Sequence, residues 1–468
     1  MSILLIFIVL YLIVTLLIGW WAARRVHNTQ DYVIAGRRMP MLVAACALFA
    51  TWYGSETIMG APAKYSEEGL QGVMEDPFGS SLCLILVGLF FARPLYRLNI
   101  LTLVDFFKLR FSRRVETIAA IFIVPSYFGW IAAQMVAMAL LLNVLLGIDL
   151  PWGIFICLVV VVMYTYVGGM WSVSVTDFVQ TIMIIIGMVA LAVLLADEAG
   201  GVQKVLESAP ENAFQFFPER DLQSMLAYFA AWVTIGLGSI PQQDVFQRVM
   251  SAKSEKSAAW ASIVSGLMYL TIGLLPLFIT LCGKALYTDF GNDDPQKIIP
   301  AMVLKHTGIV MQILFFGALL SAILSTTAGA ILAPATIIGE NLIRPIYRKM
   351  TDQMLLRSMR FSVVGVAVCS AVMATTNTNI YELVADSSIL SLVSLFVPLT
   401  AGLYWKRASD MGALLSILGG MGGWIVGEIF ETTTPTLLIG LGSSIGFMIL
   451  GSLIVPDKTY GEFKEKTG

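Results

Sequence analysis

About thirteen predominantly apolar windows, each close to the length of a bilayer crossing, constrain this chain more than any other feature of its sequence. They run near 3–23, 41–61, 73–92, 115–146, 151–167, 172–196, 224–243, 257–282, 309–343, 357–375, 380–404, 409–430 and 436–455. In hydrocarbon every backbone N–H and C=O must be satisfied inside the protein, and a helix does this within one segment. Only 13% of the 468 residues are charged, against roughly 25% in soluble domains. The expectation is an all-α membrane protein, a single transmembrane domain over residues 1–468 with about 13 helices.

The first window has no Lys or Arg before it and Arg24-Arg25 after it, the reverse of a signal peptide's charge order. It reads as a retained helix with its N-terminus outside. Alternate loops are then cytoplasmic, and most of the 29 basic residues fall in them. An odd number of spans puts the C-terminal tail in the cytoplasm. A multi-pass protein of the cell (inner or plasma) membrane is expected.

The net charge of -2 and the lack of a long basic run argue against a nucleic-acid partner. The five cysteines lie in or at the ends of apolar stretches without a CxxC, as packing residues do. The two histidines, His27 and His306, sit far apart in predicted loops, so neither a metal-built nor a histidine-based catalytic site is expected and the chain reads as no enzyme. A channel would offer a repeated pore motif, and the sequence has none.

Two spans carry helix breakers. The second contains Gly54 and Gly60 with Pro62 at its end, and the seventh, five spans later, contains Gly236, Gly238 and Pro241. Discontinuous helices at equivalent places in two inverted halves would expose backbone groups near the midplane; equally, Gly and Pro are common in membrane helices. The ninth span holds a small, hydroxylated run over residues 317–330. Ser325 follows Ala322 by three residues, with Thr326 adjacent, so two hydroxyls and a helix carbonyl could ligate Na⁺ without a fixed charge. The alternative is close helix packing, with hydroxyls bonded to their own helix. Asp177, Glu56 and Asp76 are carboxylates within or at the mouth of spans, and intramembrane charge is expensive unless it faces a cavity or a partner. Glu382 and Asp386 are weaker candidates of the same kind. Trp52 and Trp130 offer indole faces that attract organic cations, or serve as belt or packing residues.

Four strings in order resemble the sodium:solute symporter family over nearly the whole chain. They are Asp31-Tyr-Val-Ile-Ala-Gly-Arg-Arg-Met-Pro40, Val167-Gly-Gly-Met-Trp-Ser-Val-Ser-Val-Thr-Asp-Phe-Val-Gln180, Phe246-Gln-Arg-Val-Met-Ser251 and the Ser/Thr patch of span nine. The resemblance implies a LeuT-type five-plus-five inverted repeat, with one helix before and two after, the repeats covering about 41–196 and 224–404. It implies a principal Na⁺ site of Ala50, Tyr53, Ala322, Ser325 and Thr326. A second cation would use Asp177, but Ala328 and Gly329 stand where further hydroxyls would be, leaving Thr327 nearby.

The likeness is greatest to the high-affinity choline transporter branch, through Ala50-Thr-Trp52, Leu84-Ile-Leu-Val-Gly-Leu-Phe-Phe-Ala92 and Ile240-Pro-Gln-Gln-Asp-Val-Phe-Gln-Arg-Val249. Trp52 and Trp130 match two members of that branch's aromatic cage, whereas Ser80 and Gln242 replace the other two. The implied function is sodium-coupled import of a small organic solute across the lipid bilayer. The solute is choline-like or another amine or amino acid, met by Trp52, Glu56, Asp76, Ser80, Trp130 and Gln242. The alternatives are proton coupling through Asp177 or Glu56, and a sodium-coupled sugar or organic-acid symporter.

Overall fold

A computed structural model describes residues 2–287, 294–347, 349–430, 432–456 and 463. Most of the expected cytoplasmic tail after Pro456 therefore lies outside the described residues. Among the described residues the regular structure is helical, with a single isolated bridge between Met39 and Ala252.

The helices that matter here are α1 (Ser2–Ala23), α2 (Met41–Phe49), α3 (Glu56–Arg97), α4 (Arg113–Leu146), α5 (Leu150–Tyr166) and α6 (Gly169–Glu198). They continue with α7 (Leu222–Gly238), α8 (Gln243–Ser251), α9 (Glu255–Leu286), α10 (Ile309–Ile343) and α11 (Asp352–Thr376). The last three are α12 (Ile380–Tyr404), α13 (Asp410–Ile429) and α14 (Thr436–Ile454). Nine of these are long and apolar enough to cross a membrane, or ten if the bent pair α7 and α8 is one span. Two further expected spans coincide with shorter apolar helices, Ile13–Ala23 and Leu150–Tyr166.

Local chemistry sets the boundaries. Thr102 and Asp105 cap each other's backbone ahead of the short helix Leu103–Arg110, and Ser254, Thr351 and Ser409 cap α9, α11 and α13. Gly169, at φ 59° and ψ -169°, parts α5 from α6 in a conformation closed to other residues, with Tyr32 packed on it.

Burial ranks the helices by depth. In α4, 78% of the most apolar window is buried, and in α10 and α12 67%, whereas α11, α13 and α14 reach 39%. The first three are therefore the interior, and the others turn apolar side chains such as Phe361, Val372 and Leu453 outward, as a lipid-facing helix does. At the end of α1, Arg24 and Arg25 lie over the exposed rings of Trp20 and Trp21 at 4.1 and 4.8 Å, an interfacial aromatic and cationic anchor. The helices α13 and α14 form the most extensive pair. Glycines line their seam, and a methyl on Gly451 would stand 2.7 Å from the Gly412 Cα.

Candidate functional site

The two expected breaks are present. The chain leaves helix at residues 50–54 between α2 and α3, and at 239–242 between α7 and α8, whose axes differ by 49°. At the first break the Trp52 carbonyl accepts from the Gly54 N–H at 2.8 Å and from the Thr57 hydroxyl at 3.2 Å. The Thr326 hydroxyl of α10 donates to the Ala50 carbonyl at 2.8 Å, joining span nine to the end of α2. Ala322 and Tyr53 are buried; the Tyr53 ring stacks on Phe49 at 4.4 Å and its hydroxyl donates to the Ile272 carbonyl.

Ser325 faces elsewhere. Its hydroxyl donates to the Asp177 carboxylate at 2.6 Å and lies 2.9 Å from the Thr176 hydroxyl. Thr327, paired with Asp177 in the expectation, donates instead to the Ile323 carbonyl of its own helix at 2.5 Å, because its side chain starts from a different face of α10. The partner that sequence reading missed is Arg248. Its guanidinium stands 3.9 Å from Asp177 and 3.7 Å from Asp244, and all three side chains are fully buried. Tyr127 of α4 donates to Asp244 at 2.7 Å.

The stretch between the seventh and eighth expected spans, residues 244–256, is not all loop: Gln243–Ser251 is the buried helix α8. Arg110, also counted among loop residues, is a buried helical residue bonded to the Gly402 and Ala408 carbonyls. The available signal was the Asp244 and Arg248 spacing of four, which pairs charges along one helix face. With both carboxylates ionised, the Asp177, Arg248 and Asp244 trio carries one net negative charge in a low-dielectric interior, the guanidinium offsetting one of the two carboxylates.

On the far side of the first break, the widened turn Glu56–Gly60 opens α3 and packs against Met74–Gly79, α4 and α12. Glu56 is fully buried, and neither of its carboxylate oxygens has a hydrogen-bond partner among the described residues. Asp76 accepts from Ser80 at 2.7 Å through Oδ1, while Oδ2 has no such partner among the described residues. Trp52 meets Tyr269 edge-on at 6.3 Å, and Trp130 tilts over Tyr127 at 6.1 Å. No ring contact joins Trp52 to Trp130 among the described residues. Gln242 caps α8 at the second break and its amide reaches the Ser391 hydroxyl at 3.4 Å. Glu382 and Asp386 are exposed on α12 and do not join this group.

The model of the sodium:solute symporter family matches residues 32–420. The high affinity choline transporter 1 of Homo sapiens is 27% identical over 440 residues, covering 89% of this chain and 75% of its own length. The osmoregulated proline transporter OpuE of Bacillus subtilis is 30% identical over 447 residues, with 88% and 86% covered. Among solved structures, a substrate-bound, outward-open Na⁺-coupled sialic acid symporter superposes with a TM-score of 0.83 at 18% identity, covering 97% of this chain and 98% of that one. The all-helical, LeuT-type transporter fold expected from the sequence is thereby shared.

Proposed function

Because the chain belongs to the sodium:solute symporter family, we propose that it is a secondary symporter that imports a small organic solute with Na⁺ by alternating access. The observation that carries this reading is the bond from Thr326 to the Ala50 carbonyl across the first helix break. It supports a principal sodium site of Ala50, Tyr53, Ala322 and Thr326, to which Ser325, its hydroxyl now turned to Asp177, would turn as the fifth ligand. These are neutral oxygens, which hold an ion weakly enough to let it leave. Arg248 supplies beside Asp177 the positive charge that a second cation would bring, which favours a single sodium. The paired breaks support repeats over about 41–196 and 224–404, and the Arg24 and Arg25 anchor supports an N-terminus outside and a cytoplasmic C-terminus. The solute meets Trp52, Glu56, Asp76, Ser80, Trp130 and Gln242 between the two breaks.

The test is uptake by purified protein in liposomes, using labelled amines, amino acids and sugars with and without an inward Na⁺ gradient. Na⁺-dependent accumulation that is similar at acidic and neutral pH is expected. Uptake driven by a proton gradient and indifferent to Na⁺ would replace this reading with proton coupling through Asp177 or Glu56.

A further inference from the structure

Among the buried polar atoms that lack hydrogen-bond partners in the described residues, two groups carry charge from more than one side chain. One is the Arg248 trio, where opposite charges answer each other. The other surrounds the Glu56–Gly60 turn, and there the charges are of one sign. Neither Glu56 nor Asp76 enters an ion pair among the described residues. Together they present three buried carboxylate oxygens without a donor: both of Glu56 and Oδ2 of Asp76.

A third side chain belongs to this group. Tyr381, in the first turn of α12, is 7% exposed, and its hydroxyl has no hydrogen-bond partner among the described residues. The Tyr381 backbone abuts the turn, since a methyl on Gly60 would come within 3.5 Å of the Tyr381 nitrogen. Its phenol lies within the electrostatic reach of Glu75, Asp76 and Glu56, and Oε2 of Glu75 is a further buried carboxylate oxygen without a hydrogen-bond partner among the described residues. Two segments of α3 and the start of α12 thus bring unpartnered polar groups together, and both segments of α3 carry a carboxylate.

Resting on the symport reading above, we infer that Glu56 and Asp76 receive a protonated amine bearing at least two N–H donors, a primary or secondary ammonium, with the Tyr381 hydroxyl as a further contact. Such a group answers both demands of the site: its charge offsets part of the buried carboxylate charge, and its hydrogens reach their unpartnered oxygens. A quaternary ammonium supplies charge but no N–H, so the acceptors would stay unmade, and a buried acceptor without a donor is costly. A neutral sugar supplies donors but leaves the carboxylates without a counter-charge.

The experiment compares two matched series at saturating Na⁺ by calorimetric titration and thermal stabilisation. One runs from ethanolamine through N-methyl- and N,N-dimethylethanolamine to choline; the other runs from glycine through sarcosine and N,N-dimethylglycine to glycine betaine. Affinity should fall about ten- to a hundredfold from the secondary to the quaternary member of the series that binds, the scale of a lost charge-assisted hydrogen bond. Glu56→Gln should weaken the protonated members by about tenfold or more and change the quaternary member less. The nearly isosteric Tyr381→Phe should cost about two- to tenfold. Quaternary members that bind as tightly as their protonated counterparts overturn the inference, as does a panel in which sugars alone stabilise the protein or no amine of either series does. The comparison within each series uses the unaltered protein, so a variant that fails to fold does not spoil it. Stabilisation by Na⁺ alone is read separately: its absence would sink sodium coupling, while its presence beside a failed amine series would sink this inference only.

Discussion

Thr326 illustrates how much one hydroxyl can link. It ties the interior helix α10 to the carbonyl that ends α2, so Thr326→Ala removes a cross-link and, on the proposed sodium site, a ligand. In solute-free protein the Na⁺ concentration giving half-maximal thermal stabilisation should rise about tenfold, while Thr326→Ser should recover most of it. An unchanged Na⁺ response in Thr326→Ala would remove it from the site. Arg248 differs in kind, because its loss would strand two buried carboxylates. Arg248→Met should destabilise by about 3–5 kcal/mol, with Asp177→Asn in the same background restoring part of that. A melting temperature equal to the parent's would show that the trio is not charge-paired. Asp177→Asn alone should lower transport yet leave Na⁺ stabilisation measurable, since its carboxylate meets Ser325 and Arg248 rather than the Ala50 carbonyl. For Trp52, the informative pair is Leu, which lacks a ring, against Phe, which keeps a weaker quadrupole. For a cationic solute Trp52→Leu should lose about 0.5–2 kcal/mol of binding and Trp52→Phe less, and equal affinities in both would mark Trp52 as packing.

At the scale of elements, the approach of α8 to α10 depends on Gly329, where a methyl would come within 2.6 Å of the Arg248 guanidinium. Gly329→Ala should therefore cost about 1–3 kcal/mol by overpacking, seen as a lowered melting temperature. The same contact explains what could be read in advance. Both helix breaks were legible, because Gly and Pro act on the backbone they belong to. The helix α8 was not: Asp244 and Arg248 gave it the look of a soluble loop, and one of the two carboxylates that let Arg248 be buried, Asp177, lies on another span. A hydropathy window weighs a residue against its sequence neighbours alone. Likewise Ser325 and Thr326 could be picked out as a pair, but adjacent residues on a helix point about 100° apart, so one reaches Asp177 and the other Ala50. Tyr381 gave no signal, being an ordinary aromatic in an apolar stretch until α12 sets it beside the Glu56–Gly60 turn.

Across the whole molecule, the two broken regions converge on the interior helices α4, α10 and α12, while α13 and α14 lie to the side with their outer faces apolar. Alternating access needs some elements to move against others, and the glycine seam identifies a pair that should not. Where two backbones touch with no room for a methyl group, neither can slide or turn without collision. The pair should therefore serve as a ruler for distance measurements. Spin labels on the outward faces of α13 and α14 should keep one separation with and without Na⁺, and any label whose distance from that pair changes belongs to the part of the protein that moves.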